Sequence, residues 1–259
     1  MSAPERDPSS GARRDPWVGD LFGADVLAGS ASIDERTDDL WPNERELVRK
    51  AVPRRAREFA AGRRVARALL ARLGTRGAPL LRNPDRTPRW PAGVVGSITH
   101  AAELCAVVVA RSGAVTGLGV DIEPDAPLEP ELWPRICTPR ERESLLQGGA
   151  ESCGRHARLV FSAKESAYKC VYAHVRRVLG FQEVEIEVDF ARRRFTVSFA
   201  DDVRARIPAG WVLSGTFALR GQRILTGATL RVSGAQRAVT PVSHTASPVP
   251  PGAQRAERA

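Results

Sequence analysis

Lysine is almost absent from this sequence. Of its 39 basic residues only three, Lys50, Lys164 and Lys169, are lysines, and the other 36 are arginines. Two of those three fall within one nine-residue segment, 161–169. A compact, strongly hydrated ammonium stands there in a chain whose ordinary cation is a planar guanidinium. Aromatic residues are also scarce, at 6%, and the arginines are spread widely. Both facts count against a nucleic-acid-binding module, which needs basic and aromatic residues gathered on one surface. No apolar run approaches the length of a bilayer span, so no membrane partner is expected. Met1 to Pro8 has neither the basic start nor the apolar stretch of a secretory leader, and a soluble, cytoplasmic protein is expected.

Several common sites are missing. Cys105, Cys137, Cys153 and Cys170 include no pair with the two-residue gap of a zinc knuckle or redox motif, and a chain this long needs no disulfide staples. His100, His156, His174 and His244 show no metal-binding spacing with one another. There is no phosphate loop ending in Gly-Lys-Ser/Thr, no Gly-x-Gly-x-x-Gly after a strand and no nucleophile elbow. The chemistry left open is metal-assisted transfer.

What is present is enough for a large domain or two small ones: 259 residues, 42% of them hydrophobic, with a formal charge of +9. That charge points to an acidic partner, whether nucleic acid, membrane surface, phosphorylated cofactor or acidic protein. Residues 1–16 and 232–259, rich in Pro, Ser and Ala, read as disordered tails around a folded part from 17 to 231. A strand is predicted over Asp25–Ser32. A helix follows over Arg54–Leu73, with Phe59, Ala66, Leu69, Leu70 and Leu73 as its apolar stripe and Gly74 as its stop. Residues 77–91 read as loop. Val94–Ile98 and Leu104–Arg111 read as strands, with His100 in the turn between them. Thr116–Ile122 is the next strand. Thr138, Pro139 and Glu141 spell a capped helix start. A second long helix is predicted over Arg158–Leu179, stopped by Gly180, and then four strands: Val184–Val188, Phe195–Phe199, Trp211–Leu219 and Ile224–Arg231. A long helix followed by strands thus occurs twice, which hints at two similar lobes, 17–112 and 113–231.

Three short segments carry the chemistry: Gly96-Ser97-Ile98-Thr99-His100, Gly119-Val120-Asp121-Ile122-Glu123, and the stretch from Phe161 to Lys169. Asp121 and Glu123, two apart on a strand, point to one face with Cα atoms about 6.6 Å apart. Two hard oxygen donors so placed are able to hold Mg²⁺, which keeps waters and accepts phosphate oxygens. Taken alone, this segment reads better as two solvent-facing acids before a turn at Pro124-Asp125. Glu165 and Lys169 share a helix face. An ordinary surface pair of ~0.3–0.5 kcal/mol is the usual meaning of that spacing. The apolar and small residues around it, Phe161, Ala163, Ala167 and Tyr168, argue for a site instead. There Glu165 either adds a third carboxylate or serves as a base, and Lys169 neutralises a phosphate. Lys164, on another side of the helix, reads as surface charge. His100 reads either as a phosphate contact or as an imidazole satisfied by a carbonyl. Among the many arginines, one or two on the first long helix, and Arg82 in the loop after it, are candidates to reach a phosphate.

In combination these segments resemble the signature set of the 4′-phosphopantetheinyl transferases. The stretch 82–100 and the helix Arg54–Gly74 are similar to the long monomeric, surfactin-type class. The resemblance covers about residues 20–231. It implies an α+β fold of two similar, pseudo-symmetric lobes with the cofactor between them. It implies coenzyme A as donor and a serine of an apo acyl or peptidyl carrier protein as acceptor. The carriers are those of fatty-acid, polyketide, non-ribosomal-peptide or siderophore synthesis, and their usual acidity suits the +9 charge. By the resemblance, Asp121, Glu123 and Glu165 bind Mg²⁺, His100 with Thr99 holds a coenzyme A phosphate, and Lys169 contacts the diphosphate. Arg55, Arg63 and Arg82 lie where the family places basic residues on nucleotide phosphates. Arg82 stands where lysine is expected, and Cys170-Val171-Tyr172 is less aromatic than expected. The rival reading is a Mg²⁺-dependent nuclease. Its usual pattern puts lysine two residues after the second acid, where this chain has Asp125.

Overall fold

The structure is a computed structural model and describes residues 15, 17–75, 77–101, 103–146 and 150–233. Most of the two expected tails lies outside the described residues. Asp15 is an exception to the expected N-terminal tail. Its carboxylate accepts from the Trp17 and Val18 amides and from both the amide and the hydroxyl of Ser30.

The chain opens with β1 (Leu27–Ser32), a short α1 (Pro42–Glu46) and the long α2 (Pro53–Arg72), followed by the hairpin β2 (Val94–Ala101) and β3 (Leu104–Arg111). Pro53 at the first turn of α2 gives up no hydrogen bond there. Gly74 ends the helix in the left-handed region, at φ +76°. The three strands form one antiparallel sheet in the order β1-β3-β2. Every residue of β3 from Leu104 to Ala110 is buried, because both of its faces are covered. Cys105, Val107 and Val109 pack with Val65, Leu69 and Leu70 of α2. Leu104, Ala106, Val108 and Ala110 face the second half of the molecule.

That half repeats the plan. β4 (Val115–Pro124) precedes α3 (Trp133–Ile136), α4 (Pro139–Leu145) and the long α5 (Ala150–Val175). Then come β5 (Val184–Asp189), β6 (Arg194–Phe199), β7 (Trp211–Arg220) and β8 (Arg223–Val232). The second sheet is also antiparallel, ordered β4-β8-β7-β6-β5. In both sheets the strand before the long helix pairs with the last strand of the closing hairpin. The architecture is therefore α+β, two antiparallel sheets each served by one long helix, with β5 and β6 as an addition to the second.

Three expectations need correction. His100 does not lie in a turn. The ladder of β2 continues through Thr99, His100 and Ala101, opposite Ala106, Cys105 and Leu104, because the long apolar run of β3 finds a partner along its whole length. The second long helix starts at Ala150, not Arg158, and ends at Val175. It ends where Arg176 turns to φ 56°, so Gly180, at φ −73°, is not its stop. β8 runs on through Val232, into the stretch expected as tail. No helix among the described residues is long and apolar enough to cross a membrane.

Candidate active site

The site is built where β4 lies on α5. Along β4, Gly117, Gly119, Asp121 and Glu123 share one face. Along α5 they meet Cys170, Ser166, Ser162 and Arg158 in turn. Two residues of strand advance ~6.6 Å and four of helix ~6.0 Å, so the antiparallel pairing stays in step over the whole contact. The two glycines let the backbones touch. A Cβ on Gly119 would overlap the Ser166 carbonyl, and one on Gly117 the Cys170 carbonyl. Beyond Gly119 the spacing admits side chains, and both acids fill it.

Asp121 is 5% exposed. Its Oδ1 accepts from Lys169 Nζ at 2.7 Å and Thr99 Oγ1 at 3.1 Å, and its Oδ2 from Ser162 Oγ at 2.8 Å. Lys169 also donates to the Val120 carbonyl at 3.2 Å. Glu123 accepts from Arg158 Nη1 at 3.2 Å. Burial first, and Asp121 second, push its carboxyl up to about 6 against the pull of Arg158. Glu165 is half-buried and accepts no hydrogen bond among the described residues. Burial raises it above the ordinary range, Lys169 opposes, and Asp121 adds to the rise. The charge of Asp121 therefore reaches both Glu123 and Glu165. As donors they suit a hard divalent cation: all are carboxylate oxygens, and two sit where ionisation is costly without a nearby positive charge. They are not drawn together. Among the described residues no three such side chains are gathered closely enough to hold an ion. Lys169 sits on Asp121 and Arg158 on Glu123.

The basic groups lie on the other side of β2. Successive strand residues point oppositely, so Thr99 faces the acids while His100 faces α2. The His100 ring meets the Arg55 guanidinium and lies 3.5 Å from a Glu58 oxygen. Burial lowers its pKa, Glu58 opposes, and Arg55 and Lys169 add to the lowering. Arg63 is 4% exposed, donates to the Leu80 carbonyl at 2.6 Å and stacks 4.1 Å over Phe59. Arg82 lies over the same ring at 4.6 Å. Burial, opposed by Glu44 and aided by Arg82 and Arg55, brings Arg63 down to about 10. Arg82 is likewise lowered by burial, then by Arg55 and Arg86. Positive charge crowded around Arg63 and Arg82 in this way makes a place where an anion is welcome. The structure thus brings Arg55, Arg63, Arg82 and His100 into one group and Asp121, Glu123, Glu165 and Thr99 into another. Lys169 lies between them, touching Thr99 Oγ1 at 3.4 Å and lowering His100. Thr99 and His100, expected together on one phosphate, thus present their side chains to opposite sides of β2.

Two family descriptions match in succession: the 4′-phosphopantetheinyl transferase N-terminal domain over residues 43–110, and the 4′-phosphopantetheinyl transferase superfamily over residues 117–219. The 4′-phosphopantetheinyl transferase Svp of Streptomyces mobaraensis is 42% identical over 164 residues, which is 63% of this chain and 67% of Svp. The chain belongs to the 4′-phosphopantetheinyl transferase superfamily. PptT of Mycobacterium tuberculosis, another 4′-phosphopantetheinyl transferase, is 33% identical over 62% of this chain and 71% of its own. Among solved structures, a holo-(acyl-carrier-protein) synthase from Bacillus anthracis in complex with CoA (3′,5′-ADP) aligns with TM-score 0.36 and 16% identity. It covers 47% of this chain and all of that one.

In this transferase one site-segment residue does something its spacing did not suggest. Lys164, expected on the surface, is 1% exposed. Its ammonium lies 2.7 Å from Glu141 and donates to the Ile136 and Phe181 carbonyls. The turn of α5 that presents Lys169 to β4 directs Lys164 the other way, beneath α4. There Glu141 closes the Thr138 capping box and also accepts from the Ile186 amide. Ser162, Thr226 and Arg158 were not singled out from the sequence, although all touch the acids or their neighbours. The signal for Ser162 and Arg158 was their four-residue step along α5, legible only once β4 was known to lie beneath it.

Proposed function

We propose that this chain transfers the 4′-phosphopantetheine arm of coenzyme A to a serine of an apo acyl or peptidyl carrier protein, with Mg²⁺, releasing adenosine 3′,5′-bisphosphate. One observation carries the reading: three carboxylates and three guanidiniums stand on either side of Lys169, an arrangement suited to a diphosphate with a nucleotide at one end. Asp121, Glu123 and Glu165 would hold Mg²⁺, which supplies charge neutralisation at the diphosphate when bound. Arg55, Arg82 and His100 bind the nucleotide's phosphates. Arg63, turned inward, backs them through Phe59 and adds positive potential. Lys169 moves from Asp121 to a diphosphate oxygen and offsets charge on the leaving group. Thr99 steadies Asp121.

Glu165 takes the proton of the carrier's serine hydroxyl, a role that suits a half-buried carboxylate that accepts no hydrogen bond among the described residues. The serine oxygen forms a bond to the phosphorus that bears pantetheine. The bond from that phosphorus to the bridging oxygen breaks, and the bisphosphate leaves with the electron pair. All of these groups come from one chain, which supports action as a monomer, and the +9 charge favours an acidic carrier. A cytoplasmic location goes with this reading.

The test is mass spectrometry of an apo carrier incubated with the protein, coenzyme A and Mg²⁺. The expected result is a gain of one phosphopantetheine that disappears with Asp121→Ala or with chelator. No gain on any of several carriers, together with cleavage of DNA, would overturn the reading in favour of a nuclease.

A further inference from the structure

Asp121 uses its two oxygens differently. Oδ1 faces Lys169 and Thr99, while Oδ2 takes a single hydrogen bond among the described residues, from Ser162. Ser162 and Thr226 are both fully buried. Thr226 stands directly opposite Asp121 in the β4–β8 pairing. Its hydroxyl is 2.9 Å from Ser162 Oγ and 2.9 Å from the Ser162 carbonyl oxygen. Proton accounting gives the chain a direction. A carboxylate only accepts, so Ser162 spends its one proton on Asp121. The contact between the two hydroxyls must then use the proton of Thr226, which the Ser162 carbonyl shares. Donation runs from β8 through α5 to β4.

We propose that Ser162, oriented by Thr226, is a positioning residue: it keeps Oδ2 of Asp121 turned into the protein, so that Oδ1 alone faces the diphosphate and its divalent ion. This rests on the metal-dependent transfer proposed above. Without the Ser162 hydroxyl, Oδ2 is a buried acceptor with no donor, and the carboxylate gains by rotating both oxygens toward Lys169. Partners one step behind a metal ligand typically alter affinity or activity by about 10- to 100-fold when removed.

The experiment counts bound Mn²⁺ by the loss of the free-ion electron paramagnetic resonance signal, on the full chain without coenzyme A or carrier. Wild type is expected to bind and Asp121→Asn to lose binding. Ser162→Ala is expected to weaken Mn²⁺ binding about 10- to 100-fold and to lower kcat by a similar factor, with KM for coenzyme A within about twofold of wild type. Thr226→Val, which keeps the shape and removes the hydroxyl, is expected to move in the same direction. Thr226→Ser, which keeps the hydroxyl and removes a methyl, is expected to behave as wild type. A packing role would reverse that last contrast. Equal binding by wild type and Asp121→Asn would overturn the metal reading and the positioning role together. Loss in Asp121→Asn with wild-type binding in Ser162→Ala and Thr226→Val would overturn the positioning role alone. If Ser162→Ala does not fold, the contrast between Thr226→Val and Thr226→Ser decides the matter.

Discussion

Lys164 and Lys169 sit five residues apart in one signature segment and do opposite work. Lys164 is sealed in with Glu141, and Lys169 keeps 27% of its side chain exposed beside Asp121. Removing one partner of a buried ion pair strands the other charge and typically costs ~3–5 kcal/mol. Lys164→Met is therefore expected to lower unfolding free energy by that order in urea titration. Adding Glu141→Gln, which removes the stranded charge and keeps an acceptor for the Thr138 and Ile186 amides, should recover part of the loss. Lys169→Met should cost less stability, because Asp121 keeps its hydrogen bonds from Thr99 and Ser162, yet abolish most carrier modification. Equal stability losses in the two variants would contradict this division. The rarity of lysine drew attention to both residues. It did not separate them, because Glu141 lies far back in the chain and reaches Lys164 only through the packing of α4 on α5. Asp121 and Glu123 were legible on one face because strand alternation is a local rule. Arg63 was not legible as inward-facing, since its acceptor is a carbonyl in a loop beyond the end of α2.

At the scale of elements, the site depends on β4 and α5 staying in step. The Gly117 and Gly119 contacts fix that spacing, so their substitution should displace the whole acid face. Gly119→Ala forces a methyl into the Ser166 carbonyl, which backbone cannot relieve cheaply. A loss of at least ~1–3 kcal/mol is expected from overpacking, with transfer activity falling further than stability as Ser162 and Asp121 part. Thermal melts set beside carrier-modification rates check this, and an active, fully stable Gly119→Ala would refute it. The early start of α5 escaped sequence reading for a related reason. Glycine inside a helix is unfavourable, yet Gly154 lies within α5, where its missing Cβ admits Pro127 against the helix. This first stretch also makes a pH prediction. His156 packs edge-on to Phe190, and burial lowers its pKa below 6.5. The folded state holds it neutral while the unfolded chain takes a proton from about 6.5 downward. Its contribution is thus complete above that pH and is lost as pH falls through the lowered folded value. His156→Phe keeps the ring contact, so the fall in midpoint temperature between pH 7 and pH 5 should be smaller in the variant. An unchanged fall would remove His156 from the account.

At the scale of the molecule, the two lobes share a core. Leu104, Ala106 and Val108 of β3 pack with Leu118, Val120 and Ile122 of β4, and Leu21 and Phe22 close the cluster. Cross-lobe polar contacts follow the same seam: Val120 donates to Ser97, Tyr172 to Asp85, and Arg231 pairs with Asp25. A seam made of buried apolar side chains couples the halves, so neither lobe can open without exposing the other's core. Urea unfolding is expected to show one transition, coincident by tryptophan fluorescence and far-UV circular dichroism. The basic group comes from the first lobe and most of the acid group from the second, so a ligand held by both should stabilise them as one unit. Coenzyme A at about 100 times its Kd should add ~2.7 kcal/mol without splitting the transition. Two transitions, of which coenzyme A moves only one, would mean that the diphosphate site belongs to a single lobe and that the seam does not join them.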